Sequence, residues 1–277
     1  KQRFTYQGFY DTTSLVETDE EPPHALDPDA LHVALEVSLL CHSAIVDNVL
    51  VMRKTVVDGS NTSGFQRTAQ ISLGGYVELN DATKIRVQGL AVEEDSARPM
   101  ERKENEVVYR LDRLGFPLIE LSTQPDIHSP EQAKEVALKL GEALRITGRV
   151  KRGLGTIRQD INISIPQGAR VELKGVQELN LIDEFVRREM QRQKVLLNVK
   201  EQLRAEGLTH DMVNSQSMVS LTPILEKTTS KMIQTALQKK HAIWGVRLPF
   251  MQGRMGMEVQ PGKRIGSEVS AYVKVKT

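Results

Sequence analysis

Cysteine is almost missing from this sequence: Cys41 is the one thiol in 277 residues. An internal disulfide framework is therefore excluded, and a zinc site built on cysteines has no ligands to draw on. Such sparing use fits a reducing compartment, so a cytoplasmic location is expected. Long apolar runs are missing too. No stretch approaches the roughly 20 residues that span a bilayer, and no membrane partner is expected. Charge of one sign is balanced away: 37 Lys and Arg against 36 Asp and Glu leave a net charge of +1. A basic nucleic-acid coat is excluded, and any RNA contact must come from local patches. The chain begins at Lys1, with no basic and apolar leader after it. It is read as a fragment whose true N-terminus lies upstream. With 39% hydrophobic and 26% charged residues, it has the composition of an ordinary globular chain.

Several catalytic signatures are absent as well. There is no G-x-x-x-x-G-K-[ST] loop, no G-x-G-x-x-G fingerprint, no H-E-x-x-H, no C-x-x-C and no G-x-S-x-G. Walker-type phosphate loops, dinucleotide folds, zinc hydrolases and serine hydrolases lose their usual support. The six histidines show no ligand spacing and read as surface or cap residues. Trp244 reads as a core or interface anchor.

What is present is a mixture of helices and strands. The first ten residues read as an exposed or partly paired strand, followed by an acidic loop over Glu17–His24. Asp27 caps a helix with Pro28 at its first position, and Ser129 with Pro130 and Gln132 opens a second. A third runs from about Asn180 to Glu206, with Gly207 as its stop. Between the first two, strands are expected over Val49–Lys54, Phe65–Ser72, Tyr76–Leu79, Lys84–Glu94, Val107–Arg110 and Leu118–Gln124. Gly74-Gly75 suits a hairpin between the second and third of these. Thr209–Thr222 looks like a boundary or linker, and Ala242–Thr277 like a small β-containing module. The fold class is α+β, with a mixed, largely antiparallel sheet and flanking helices.

The chemistry concentrates in one hairpin. Residues 156–165 alternate: Ile157, Ile161, Ile163 and Ile165 against Thr156, Arg158, Asp160, Asn162 and Ser164. Pro166-Gln167-Gly168 turns the chain, and Arg170, Glu172 and Lys174 alternate with apolar residues on the way back. A three-residue loop places Asn162 opposite Glu172 and Asp160 opposite Lys174, so the two polar sets share a face. That face is either a solvated surface with cross-strand ion pairs or a floor for phosphate and a hard divalent cation. Two other acids stand out. Glu93 and Glu94 follow one another on a strand, so they face opposite ways. Glu120 is the one charge inside Phe116–Leu121 and needs a partner, a metal or a cavity. The loop Gly148–Gly155 (GRVKRGLG) is basic and glycine-rich, suited to touching phosphate through Lys151, Arg152 and backbone N–H groups. Arg187, Arg188 and Arg192 on the third helix read as a solvated face.

Several runs together resemble one family. They are Met52–Lys54 (MRK), Asp58–Thr68 (DGSNTSGFQRT), Val92–Asp95 (VEED), Tyr109–Glu120 (YRLDRLGFPLIE), Gln124–Pro130 (QPDIHSP), Gly155–Ile165 (GTIRQDINISI) and Arg170–Gln177 (RVELKGVQ). In this order they resemble the B and E subunits of tRNA-dependent amidotransferases. RLDRLGFPLIE with VKRGLGTIRQDINISI looks like the archaeal E type; B subunits usually carry an EEGSLR-type run where RGLGTIR stands here. Val246–Tyr272 resembles the insertion module of bacterial-type aspartyl-tRNA synthetases, which the E type carries. The resemblance divides the chain into a catalytic domain over 1–208 and a partial insertion domain over 209–277. It also implies a cradle similar in fold to glutamine synthetase and guanido kinases.

The resemblance implies an activity as well. Glutamate esterified to tRNA(Gln) is phosphorylated on its side-chain carboxylate by ATP. Ammonia from an asparaginase-like D subunit then displaces phosphate. A heterodimer, or a dimer of such heterodimers, is implied, with ATP and Mg²⁺ as cofactors and charged tRNA(Gln) as substrate. Carried over residue by residue, Glu93, Glu120 and Asp160 match the metal-binding acids. Arg158 belongs to the nucleotide side with Asp160, and Lys54 matches a basic residue lining the pocket. Lys174 and Asn162, argued from the strand face, join Arg158 in nucleotide binding, and Glu94 and Glu172 would support the site from behind. The family's N-terminal strand and its tRNA-gripping helical and tail domains are not matched, so the fragment alone is expected to be inactive. A non-catalytic RNA-binding or assembly module and a carboxylate kinase acting on a free metabolite remain alternatives.

Overall fold

Alternation of polar and apolar residues builds most of the strands, and capped amphipathic runs build the helices. The computed structural model describes residues 2–9, 25–153 and 155–276, and the acidic loop Glu17–His24 lies outside them. In chain order the first elements are β1 (Arg3–Gln7), α1 (Pro28–Leu40), β2 (Ala44–Ile45), β3 (Val51–Thr55), β4 (Phe65–Leu73), β5 (Tyr76–Glu78), β6 (Lys84–Glu94), β7 (Arg98–Arg102), β8 (Glu106–Arg110), β9 (Pro117–Thr123) and α2 (Pro130–Ile146). Then come β10 (Gln159–Ile163), β11 (Val171–Val176), a 3₁₀ turn (Leu179–Leu181), α3 (Ile182–Ala205), α4 (His210–Asn214), β12 (Met218–Ser220), α5 (Thr222–Leu225), α6 (Lys231–Gln238), β13 (Trp244–Val246), β14 (Glu258–Gln260), β15 (Lys263–Arg264) and α7 (Ile265–Lys276). The class is mixed α+β, with several antiparallel pairings and helices.

The chain packs as two compact units: Lys1–Gln159 with Gly175–Asp183, and Asp160–Lys174 with Glu184–Thr277. The centre of the first is a six-stranded sheet. β6 pairs antiparallel with β4, β5 and β9, and β4 also pairs with β2 and β3. α1 lies against one face. Its Val33, Ala34 and Val37 pack on Ala69, Ile71, Leu90 and Val92 in a shared core. A buried hydroxyl pair, Ser38 to Ser72 at 2.7 Å, ties helix to sheet. Both expected caps are present: Asp27 accepts from the Ala30 N–H at 2.8 Å, and Ser129 from the Gln132 N–H at 3.1 Å.

Three sequence expectations change. Gly74-Gly75 does not make a hairpin, because β5 pairs with β6 rather than with β4. The Tyr76 N–H donates instead to the Cys41 carbonyl at the end of α1, 2.7 Å away. Gly75 sits at φ +96°, where a Cβ would come within 2.3 Å of that carbonyl. A tertiary hydrogen bond has overridden the local turn signal. Second, β8 leaves the main sheet and forms a separate one with β7 and, in parallel register, with β1. Third, the segment after Gly207 is structured rather than a plain linker, since β12 pairs with β13.

In the second unit β10 and β11 form a two-stranded ribbon. The turn between them is closed by the Gly168 N–H donating to the Ile165 carbonyl at 2.8 Å, with Gln167 at φ +65°. Buried Gln193 of α3 holds the ribbon, donating to the Ile163 carbonyl at 3.2 Å and accepting from the Ile165 N–H at 3.3 Å. The amide comes so close that a Cβ on Gly168 would lie 2.3 Å from it. Further along α3, Val199 packs with Val259 and Ile265.

Candidate functional site

The site grows from the C-terminal end of β6. Register places Glu93 opposite Thr68 of β4 and Leu118 of β9, Ala91 opposite Glu120, and Lys54 of β3 opposite Gln66 of β4. Residues paired directly across antiparallel strands, and residues two apart along one strand, point to the same side. Lys54, Gln66, Thr68, Glu93 and Glu120 therefore share one face. Ala69, Ile71, Val92 and Ile119 take the other, against α1. The apolar face fixes the register, and the register assembles the polar one.

Glu93 is the centre of this face and is only 8% exposed. Lys54 Nζ donates to its Oε1 at 2.8 Å and Thr68 Oγ1 to the same oxygen at 3.0 Å. Gln66 Nε2 donates to Oε2 at 3.2 Å and also to the Glu94 carbonyl at 2.6 Å. Glu120 shares a carboxyl–carboxyl hydrogen bond with Glu93. Burial pushes the Glu93 carboxyl up, but the hydrogen bonds from Lys54, Thr68 and Glu120 outweigh it and hold the group below the ordinary Glu range. Glu94 faces the other way, where its carboxylate lies 2.7 Å from Arg67 Nε. The period-two reading of the two glutamates holds.

Beyond Glu93 the chain is held rigidly. The Asp95 N–H donates to the Phe116 carbonyl at 2.7 Å, and the Ala97 N–H to the Ser60 carbonyl at 2.8 Å. Buried Asn61 accepts from Ser96 Oγ at 3.0 Å. The Tyr109 and Tyr6 hydroxyls donate to the Asp58 and Gly59 carbonyls at 2.8 and 2.7 Å. This is what the DGSNTSG run does: it is a loop stitched to the end of the glutamate strand. Asp95, two residues past Glu93, lies 3.4 Å from Arg158 Nη2 and 3.6 Å from Arg113 Nε. Arg158 is thereby brought to the tip of β6.

Arg158 is not on the strand that the alternation over 156–165 predicts. The strand begins at Gln159, and 155–157 form a turn in which Thr156 Oγ1 donates to the Gly153 carbonyl at 2.7 Å. The pattern continues in the residues, but the pairing that makes a strand does not reach them. Over Gln159–Ile163 and Val171–Lys174 the expected alternation holds, while Ser164 and Ile165, also expected on the strand, lie in the connection between β10 and β11. Asp160 and Asn162 are exposed while Ile163 is buried, and Glu172 and Lys174 are exposed between half-buried Val171 and Leu173. Lys174 Nζ lies 3.3 Å from Asp160 and 3.1 Å from Glu172. Donating hydrogen bonds to the Glu172 and Asp160 carboxylates holds the lysine above its ordinary pKa.

The named residues thus fall into two groups: Lys54, Glu93 and Glu120, with Arg158 on Asp95, in the first unit; Asp160, Asn162 and Lys174 in the second. No three His, Cys, Asp or Glu side chains gather as a metal-binding group among the described residues. Glu93 and Glu120 supply two adjacent carboxyls, and Mg²⁺ commonly uses one or two carboxylates together with water and substrate phosphates. The donor set fits such an ion. Gln66, Thr68 and Asp95 were not singled out from the sequence as partners. Their available signal was the polar alternation Gln66, Thr68, Gln70, which marks a face but not its occupant.

The polar sheet face presents a buried carboxylate with a lysine and a second carboxyl beside it. Comparison with known proteins supplies the family. The family model described as the GatB/GatE catalytic domain matches residues 12–242, and the chain belongs to that family. The E subunit of glutamyl-tRNA(Gln) amidotransferase from Sulfurisphaera tokodaii is 53% identical over 94% of this chain and 41% of its own length. The proteins of the same name from Methanocaldococcus jannaschii and Saccharolobus solfataricus are 50% and 49% identical, each over 99% of this chain and 43% of their own length. The resemblance read from RLDRLGFPLIE and VKRGLGTIRQDINISI is upheld, the choice of the E type included. The chain spans about two fifths of the curated relatives it matches. No helix among the described residues is long and apolar enough to cross a membrane.

Proposed function

We propose that the complete protein converts Glu-tRNA(Gln) to Gln-tRNA(Gln) in the cytoplasm as an ATP-dependent carbon–nitrogen ligase. The observation that carries this reading is the buried Glu93 carboxylate, hydrogen-bonded to Lys54, Thr68 and Glu120 on the polar face of the main sheet. ATP phosphorylates the glutamyl side-chain carboxylate, and ammonia from an asparaginase-like D subunit displaces phosphate. The first step brings two anions together, and the residues present answer that need. Lys54 and Arg158 screen the repulsion between carboxylate and nucleotide. In the first unit Arg158 binds the nucleotide, and Mg²⁺, when bound, would neutralise phosphate charge, held by Glu93 and Glu120. In the second unit Asp160, Asn162 and Lys174 offer polar groups of their own for metal and phosphate. Asp95 fixes the Arg158 guanidinium, and Thr68 and Gln66 orient Glu93. Closure against water protects the acyl phosphate from hydrolysis. We place the catalytic domain, with a cradle of the glutamine synthetase type, over 1–208 and a partial insertion domain over 209–277.

The test uses the complete protein with its partner subunit. Glu93→Gln and Asp160→Asn should each lower ATP-dependent glutaminyl-tRNA formation by about a hundredfold or more while tRNA binding persists. Turnover near that of the wild type in both variants overturns the site assignment. ADP release from free glutamate without tRNA points to a metabolite kinase instead.

A further inference from the structure

The loop before the second strand group carries a feature that neither the Glu93 face nor the ribbon uses. Arg145, one residue from the end of α2, joins Lys151, Arg152, Gly153 and Thr156 around a cavity of about 190 Å³. All five residues belong to the first compact unit, and all are exposed. Three cations face one small volume. Among the described residues none of the three has a carboxylate partner, whereas Arg149 in the same loop lies 3.8 Å from Asp29. Like charges held together repel one another, so a cluster left without counter-charge gains most from an anion. Lys151 Nζ stands 4.3 Å over the ring of Phe116, which is 47% exposed. Gly153, at φ +114°, lets the chain bend around the cavity without a side chain in the way.

Size narrows the ligand. Pockets that enclose a drug-sized molecule begin near about 300 Å³; this one takes a phosphate group rather than a whole nucleotide. An open, three-cation seat beside an exposed aromatic ring is the pairing of backbone charge with a stacking face found in single-stranded nucleic-acid sites. We infer that Arg145, Lys151 and Arg152 seat a backbone phosphate of the RNA substrate, with Phe116 flanking the adjoining nucleotide. The inference rests on the tRNA reading above and adds a contact surface to it.

The test is the salt dependence of tRNA binding by the complete protein, with unacylated tRNA as probe, from about 50 to 200 mM salt. Each phosphate contact contributes about 0.7–0.9 to the slope of log K against log salt. The variant Arg145→Ala/Lys151→Ala/Arg152→Ala should lose about 0.7–0.9 from that slope, the share of one phosphate, and bind about tenfold more weakly at low salt. The charge-keeping variant Arg145→Lys/Lys151→Arg/Arg152→Lys should retain the wild-type slope, which separates lost contacts from lost folding. An unchanged slope in the alanine variant overturns the inference. So does an unchanged slope with weakened binding of ATP or pyrophosphate, which assigns the cations to the nucleotide. The slope is independent of turnover. A wild type that binds tRNA but makes no glutaminyl-tRNA refutes the amidation reading and leaves the pocket standing.

Discussion

The two polar faces are built from the same residue types and differ in almost everything else. On the main sheet a lysine meets a buried glutamate with a Thr, a Gln and a second carboxyl around it. On the ribbon β10–β11 a lysine meets Asp160 and Glu172 in the open, with the three side chains 70%, 45% and 42% exposed. The first face is backed by the α1 core, which fixes its strands. The second is a pair of short strands steadied by Gln193. Water screens the ribbon's charges and leaves them exchangeable, whereas the Glu93 cluster is preorganised. One face has paid for its geometry in desolvation, and the other keeps its ion pairs in contact with water.

Three measurements press on this contrast. Lys54→Met should lower amide exchange protection along β6 by about 1–3 kcal/mol, because it leaves a buried carboxylate short of its charged donor. A loss as small as that of an exposed pair would erase the distinction between the faces. Next comes pH. Glu93 titrates below the ordinary Glu value, so its contribution to stability is complete above about 4.3 and disappears as pH falls through the lower folded value. A carboxyl NMR titration should find Glu93 below about 4.3, and Lys54→Met should move it upward; a midpoint above that value in the wild type contradicts the network. The smallest effect is expected on the ribbon. Lys174→Ala should change protection along β10 and β11 by about 1 kcal/mol or less, and a larger loss would show that its ion pairs brace the hairpin.

Local chemistry was readable wherever the decisive partner lies within a turn or two. Asp27 and Ser129 cap the helices expected of them, Gly207 ends α3, and period two sends Glu93 and Glu94 to opposite faces. The ordered motifs also carried the family. Other features were legible only in part. Thr156 and Arg158 continue the alternation of the key strand, yet the pairing starts at Gln159. Phe185 fits the apolar stripe of α3, yet it is 38% exposed.

The sequence by itself determined which residues alternate, which cap and which family the chain joins, because propensity, periodicity and motif order are written along the chain. Tertiary structure alone decided that Lys54 reaches Glu93 across 39 residues and that Arg158 reaches Asp95 across 63. It also decided that Gly75 serves the end of α1 rather than a hairpin. Those outcomes depend on strand register and on which face the α1 core covers, and both are set by contacts between distant segments.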